Sequence, residues 1–281
     1  MKSLTLKLYK RALKLNESPS NTPSEYVHWQ EVKSQIQDNY NSAQLQMIQY
    51  YLLDFGQDLS INKVIGDLKA QRPIQYIVGH AYFHKYHFKV NDSTLIPRPE
   101  TEELCQLILD TCANRNLKIC DLGTGSGCIL NTLLSENKSW TGIGVDLDKI
   151  ALETASQNAI YWDTINRTQW LQMDILGMDK LPPGNILISN PPYIPKKEIT
   201  QMDKNVVAYE PHLALFVKED PLIFYTKINT LFQSDESYTD LFFECHQDYI
   251  EDLMLFLLDK KINAKKIEDF SQNPRFIHVT K

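Results

Sequence analysis

The segment Asp121-Leu122-Gly123-Thr124-Gly125-Ser126-Gly127 constrains the fold of this chain more than any other. It follows an apolar run at 117–122 that reads as a buried strand, and it opens an apolar stretch at 129–134 that reads as a helix. Alternating glycines let the backbone turn sharply and approach a ligand closely, as only residues without Cβ do. Strand, glycine turn and helix in that order begin a β-α-β unit, and repeated units of this kind build a parallel sheet covered on both faces. The alternation continues after Thr101. Further strands are expected at 141–145, 169–173, 185–189, 240–245, 265–270 and 276–280, with helices at 150–160, 221–232 and 249–258 between them. The last two strands lie too close for a crossover helix, so they should pair as an antiparallel hairpin at the sheet edge. The expected fold class is α/β, a Rossmann-like seven-stranded sheet with its last hairpin antiparallel.

The chain upstream of Thr101 has a different pattern. Thr22-Pro23-Ser24-Glu25 reads as a capping box with proline at the first helical position. Tyr26, Trp29, Val32, Ile36 and Tyr40 then recur at helical spacing. Ser42 opens a second helix that Gly56 should stop, and a third covers about 60–70, ahead of Pro73. Each helix has one apolar face to bury, which predicts a small helical bundle over residues 1–75. From Ile74 to Val90, aromatic and β-branched residues in period-two stretches predict a β-hairpin, so 76–100 reads as a linker and 101–281 as the main domain. In Leu95-Ile96-Pro97-Arg98-Pro99-Glu100-Thr101 the prolines stiffen the connection, and Thr101 is expected to start the next helix.

Composition narrows the function classes. Hydrophobic residues make up 43% of the 281 and charged residues 23%, ordinary globular usage. A net charge of −6 provides no broad cationic surface to neutralise phosphates, which weighs against a nucleic-acid substrate. The five cysteines are odd in number and form no Cys-x-x-Cys pair, which argues for a reducing cytosol and against a disulfide framework or zinc knuckle. Cys120 and Cys128, flanking the glycine loop, read as small core residues. His80, His84 and His87 read as surface or packing residues, and no metal is expected. Met1 to Arg11 lacks the apolar run of a signal peptide, and no segment approaches the roughly 20 apolar residues a membrane span needs. The expectation is a soluble, cytoplasmic protein.

A dinucleotide loop would read Gly-x-Gly-x-x-Gly, but Cys128 stands where its third glycine belongs. The Gly-x-Gly-x-Gly spacing resembles the first motif of class I methyltransferases, whose loop packs against the methionine and ribose of S-adenosylmethionine. Carboxylates stand where that resemblance requires them, each at the carboxyl end of a strand, the edge at which open α/β sheets bind ligands. It implies that Asp121 meets the cofactor's ammonium group and Asp146 the ribose hydroxyls. Asp174 would accept from the adenine amino group, with Ile175 as an apolar contact for the ring. The implied cofactor set is Asp121, Gly123, Thr124, Gly125, Ser126, Gly127, Asp146, Asp174, Ile175 and Asn190.

Asn190-Pro191-Pro192-Tyr193 follows the apolar strand 185–189, at the same edge. An amide nitrogen is a poor nucleophile because its lone pair is delocalised into the carbonyl. Pro191 and Pro192 have no N–H, so this turn offers acceptors with few competing donors. The Asn190 side-chain oxygen and the Pro191 carbonyl are suited to accept both hydrogens of a substrate NH2 and aim its lone pair at a methyl donor. Tyr193 offers a face for a flat group to stack on. Asn190, Pro191, Pro192 and Tyr193 are therefore the expected catalytic residues. Adenine N6, guanine N2 and a glutamine side-chain amide all satisfy the same acceptors. A catalytically silent binding module would need neither Asn190 nor Tyr193.

Residues outside the two motifs separate these possibilities. Gln75-Tyr76-Ile77-Val78-Gly79, Phe88-Lys89-Val90 and Leu95 through Glu102 precede the glycine loop, and Ser189 through Ile194, Tyr209-Glu210-Pro211 and Ala214-Leu215 follow it. In these runs the chain resembles the PrmC (HemK) peptide chain release factor glutamine methyltransferases along essentially its whole length. The resemblance implies N5-methylation of the glutamine in the Gly-Gly-Gln loop of class-1 release factors, with S-adenosylmethionine as cofactor and the helical domain gripping the release factor. It also implies that Arg98 and Pro99 border the methionine end of the cofactor, against the alternative of a purely structural linker. Lys218-Glu219-Asp220-Pro221 and Ser271 through Phe276 depart from the family's glycine-rich turns, which bears on loop shape. A ribosomal-protein glutamine methyltransferase and a nucleic-acid amino-methyltransferase are the alternative readings.

Overall fold

The computed structural model describes residues 23–281, with side chains from Trp29 onward. The expected capping box at Thr22, the packing of Tyr26 and the reading of Met1 to Arg11 lie outside the described residues. The chain forms two compact units that divide after Ala81.

The first unit is helical. Helices α1 (Pro23–Ile36), α2 (Ser42–Phe55) and α3 (Ile61–Lys69) turn Trp29, Val32, Ile36, Ile48, Val64 and Leu68 inward. Asn41 caps α2 reciprocally: its side chain accepts from Gln44 N at 3.0 Å, and the Gln44 side chain accepts from Asn41 N at 2.9 Å. The Tyr40 hydroxyl donates to the Leu68 carbonyl at 2.6 Å. Residues 74–78, expected to begin the hairpin, instead form a short helix, α4 (Ile74–Val78), closed by left-handed Gly79 at φ 71°. Ile74, Tyr76 and Val78 are all buried in it. Over so short a run, alternation of apolar residues does not distinguish a strand from a fully buried helical turn. The strands begin at His80, as β1 (His80–Phe83) and β2 (Tyr86–Lys89).

The second unit is built on a seven-stranded sheet. Helix α5 (Pro99–Cys112) precedes β3 (Lys118–Leu122), α6 (Cys128–Glu136), β4 (Thr141–Asp146), α7 (Lys149–Tyr161), β5 (Thr168–Gln172) and β6 (Ile186–Ser189). A two-residue parallel pair, β7 (Ile194–Pro195) and β8 (Phe216–Val217), brackets the short helices α8 (Lys204–Tyr209) and α9 (His212–Leu215). Helix α10 (Ile223–Ser234), β9 (Asp240–Glu244), α11 (Ile250–Asp259), β10 (Asn263–Glu268) and β11 (Pro274–Thr280) complete the chain. Every expected strand of the sheet is present with its ends slightly shifted. The strand order is β10-β11-β9-β6-β3-β4-β5, and β11 inserts between β9 and β10, antiparallel to both. The predicted hairpin therefore forms, with its first strand at the edge and its second inside the sheet.

Helix α5 begins at Pro99 after an extended Arg98, not at Thr101. Proline suits a first helical position because the N–H it lacks would have no helical partner there. Thr101 then falls in the first turn, buried and turned toward the sheet. Separate apolar clusters cover the two faces of the sheet. Leu122, Val145, Leu187, Phe232 and Leu253 pack on one, and Leu104, Ile119, Leu130, Ile188 and Phe242 on the other. At the roughly 25 cal/mol per Å2 that apolar burial contributes, these clusters dominate the stabilisation of the unit. Starting from β3, the order runs outward through β4 and β5 on one side and through β6 and β9 on the other. That reversal opens a crevice beyond the carboxyl ends of β3 and β6, where this sheet class binds ligands. Among the described residues no helix is long and apolar enough to cross a membrane.

Candidate active site

The glycine loop leaves β3 with Gly123, Gly125 and Gly127 all at positive φ, 76°, 54° and 71°. A side chain at any of them would be strained. A Cβ on Gly127 would also lie 2.8 Å from Asn131 Nδ2 and 2.9 Å from Ala155 Cβ, whereas Gly123 and Gly125 face open space. The loop uses its amides to hold its own shape. Gly123 N and Thr124 N donate to Val145 O, Gly127 N to Thr124 O, and Gly125 N to Asp146 Oδ2 at 2.8 Å. Amides committed in this way do not form an anion cradle, which agrees with the absence of a dinucleotide glycine pattern.

Gly123 and Gly125 line a cavity of about 190 Å3 together with Asp146, Asp174, Ile175, Asn190 and Pro192. Seven of the predicted site residues thus meet in one space. Asp121, Thr124, Ser126 and Gly127 are buried and do not line it. Asp146 Oδ1 accepts from Asp148 N at 3.0 Å, so each carboxylate oxygen already takes one backbone bond and keeps lone pairs for another donor. Asp174 is exposed, and its Oδ1 accepts from Leu176 N at 2.9 Å. Sequence reasoning missed Ser93, Leu95, Leu213 and Phe224 in the same wall. They come from the loop after β2, from the short helix α9 and from α10, where no residue pattern marks a cavity. Asn91 and β2 anchor the loop that carries Ser93 and Leu95. Asn91 Nδ2 donates to Thr154 Oγ1 at 2.8 Å, and Lys89 N donates to Asn158 Oδ1 at 2.7 Å.

Asp121 is fully buried, with Oδ2 accepting from Thr124 Oγ1 at 2.6 Å and Oδ1 without a partner. Burial pushes this carboxyl up to about 7, with the Thr124 bond opposing. An orphaned carboxylate oxygen under the glycine loop fits a cationic amine or a bridging donor. A carboxyl raised in this way favours the fold when protonated, so its contribution is full below the ordinary aspartate range and lost as pH climbs to about 7. Asp121→Asn should therefore raise the melting temperature of the ligand-free protein, more at pH 8 than at pH 5. Scanning calorimetry at both values checks this, and a gain that is equal or reversed in order contradicts the burial penalty.

A second cavity, of about 260 Å3, is lined by Arg98, Pro191, Tyr193, Glu244 and His246 among others. Leu95, Asn190 and Ala214 line both cavities, so Asn190 stands at their junction. Its Nδ2 donates to Thr101 Oγ1 at 3.4 Å, and Oδ1 takes no hydrogen bond from the described residues. Ser189 Oγ donates to Leu122 O at 2.7 Å, tying the carboxyl end of β6 to β3. The Tyr193 ring tilts against His246 with centroids 5.3 Å apart, and burial pushes its hydroxyl up to about 12, so it stays neutral.

Arg98, read either as bordering the methionine end of the cofactor or as part of a structural linker, lines the second cavity and not the first. Its Nη2 reaches both oxygens of the buried Glu210, at 2.7 and 2.8 Å, which ties the linker to the end of α8. Glu244 was missed altogether. It ends β9 just as Asp121 and Asp146 stand at the ends of their strands, and an acid closing the apolar run Leu241-Phe242-Phe243 was the signal available.

The five cysteines are buried thiols. His87 packs edge-on against Tyr161 and Trp162 at 5.0 and 5.3 Å, and among the described residues no cluster of metal-ligating side chains occurs.

The methyltransferase small domain family matches residues 100–210. A release factor glutamine methyltransferase of Flavobacterium psychrophilum is 41% identical over 236 residues, covering 81% of this chain and 82% of that protein. One from Streptococcus pneumoniae is 35% identical over 222 residues, covering 76% and 77%. Among solved structures, the hMettl16 catalytic domain in complex with a MAT2A 3'UTR hairpin superposes with a TM-score of 0.56 at 14% identity, covering 69% of this chain and 74% of that one. At that identity the likeness shows the fold, that of a class I methyltransferase.

Proposed function

The chain belongs to the release factor glutamine methyltransferase family, and from that membership we infer that it methylates the side-chain amide nitrogen, N5, of the glutamine in the Gly-Gly-Gln motif of class-1 peptide chain release factors. The observation that carries the reading for this chain is Asn190 at the junction of two cavities, one floored by the glycine loop and the other walled by Tyr193.

S-adenosylmethionine, when bound, supplies a methyl carbon made electrophilic by its sulfonium sulfur. We assign its site to the cavity of Gly123, Gly125, Asp146, Asp174 and Ile175, where the donor set fits. Asp146 keeps acceptor capacity for ribose hydroxyls, Asp174 and Ile175 offer an acceptor and an apolar face to adenine, and the unpartnered Asp121 Oδ1 suits an ammonium group. The second cavity takes the glutamine side chain. Asn190 Oδ1 and the Pro191 carbonyl accept its two amide hydrogens, which fixes the NH2 and directs its lone pair across the junction. Tyr193 and the proline rings exclude water and hold the flat carboxamide in plane. Residues 1–75 are assigned to gripping the release factor, 76–100 to linking, and 101–281 to methyl transfer.

Incubation with labelled S-adenosylmethionine and, separately, a class-1 release factor, total ribosomal protein and duplex DNA tests the reading. Mass spectrometry should place one methyl on the Gly-Gly-Gln glutamine. Label appearing only in ribosomal protein or DNA contradicts it.

A further inference from the structure

Asn190 is useful to an incoming NH2 only if its oxygen, and not its nitrogen, faces the substrate. The two ends of a carboxamide are nearly the same size, so packing alone scarcely distinguishes them; hydrogen bonding does. Asn190 Nδ2 donates to Thr101 Oγ1 at 3.4 Å, and Thr101 Oγ1 donates to Glu244 Oε2 at 2.7 Å. We propose that Thr101 and Glu244 are positioning residues, a two-bond relay whose buried carboxylate fixes the direction of every hydrogen bond up to Asn190 and so points the Asn190 oxygen at the substrate. The proposal rests on the amide-methylation reading above.

An ionised carboxylate can only accept, so it commits the single Thr101 proton. Thr101 then has only lone pairs to offer Asn190, which must present its NH2 inward. A protonated Glu244 can donate instead, leaving the Thr101 proton free to bond Asn190 Oδ1 and turn the amide over. The polarity of the substrate acceptor thus depends on a charge two hydrogen bonds away. Glu244 is 4% exposed and ends β9, while Thr101 lies in the first turn of α5, so the relay joins elements that are not adjacent in sequence. Tyr225 Oη donates to the Glu244 carbonyl at 3.0 Å and holds that strand end in place. The charges facing Glu244 are mixed. Arg275 on β11 and Arg98 before α5 favour its ionised form, and Glu100 opposes it. Burial outweighs them and pushes the carboxyl up to about 7, inside the range where an enzyme is assayed.

The test is steady-state methylation of a class-1 release factor between pH 5.5 and 9 by the full chain, with S-adenosylmethionine affinity measured by calorimetry. Wild-type kcat should fall on the acid side with a midpoint near 7. Thr101→Val should lower the kcat plateau by roughly tenfold or more and remove that acid limb, with cofactor affinity changed by less than about twofold. Thr101→Ser, which keeps the hydroxyl, should restore the plateau to within about threefold and recover the limb. If the valine variant does not fold, Glu244→Gln carries the test of the limb, since a carboxamide is close in shape to a carboxyl and does not titrate. It too should lose the limb. A valine variant that keeps wild-type kcat, or either variant that retains the acid limb unchanged, overturns the relay while leaving the methylation reading intact. A wild-type protein inert toward the release factor overturns the reading and the relay together.

Discussion

Asn190→Ala should reduce kcat for release-factor methylation by about 10²–10³-fold, the loss typical when one preorganised group that acts in the transition state is removed. Cofactor binding should change by less than about threefold, because Asp146, Asp174 and Ile175 remain in the cavity proposed for the cofactor. The physical reason lies in the nucleophile. A carboxamide nitrogen is a poor nucleophile because its lone pair is delocalised, so it must be held by both hydrogens to be aimed at the methyl donor, and the Pro191 carbonyl alone accepts one of the two. Single-turnover kinetics at saturating cofactor isolate the chemical step. Turnover of the alanine variant within a few-fold of wild type would remove the proposed role of the turn.

The second large effect belongs to Asp146→Ala, which should weaken S-adenosylmethionine binding by roughly 100-fold or more, as expected when charge-assisted hydrogen bonds of about 1.5–3 kcal/mol each are lost. The structure adds a reason the ribose role alone does not contain. Asp146 Oδ2 holds Gly125 N at 2.8 Å and Oδ1 holds Asp148 N at 3.0 Å, so truncation frees the glycine loop and the start of α7 at once. Asp146→Asn keeps one oxygen acceptor and should fall between wild type and alanine. Titration calorimetry of the three proteins decides the matter, and indistinguishable affinities would rule out both roles of the carboxylate. At saturating cofactor, kcat of the alanine variant should stay within about fivefold of wild type, which separates this residue from Asn190.

The two motifs were legible because each is a local event. Asp121 through Gly127 is a strand end, a turn and a helix start within one short stretch, and its glycines are required by backbone angles that the loop does adopt. Asn190 through Tyr193 likewise follows its strand directly. The short helix α4 was not legible as a helix, since three apolar residues at alternate positions fit either periodicity. The partner of Arg98 was not legible for a related reason: Glu210, which holds it, is remote in sequence, and nothing local to the linker points to it.

From its sequence alone the chain determined the alternation of strands and helices, the antiparallel hairpin at the end, and the chemistry available at the carboxyl edge of the sheet, because hydrophobic periodicity and glycine geometry act over a few residues. Tertiary structure alone decided that β11 would insert between β9 and β10, that Asn190 would stand where two cavities meet, and that Thr101 and Glu244 would stand behind it. Those arrangements depend on strand order and on contacts between distant segments, and burial of the same apolar faces is compatible with many orders until the whole sheet closes. The direction in which a side-chain amide points is settled last, by partners that only the assembled fold brings within hydrogen-bonding distance.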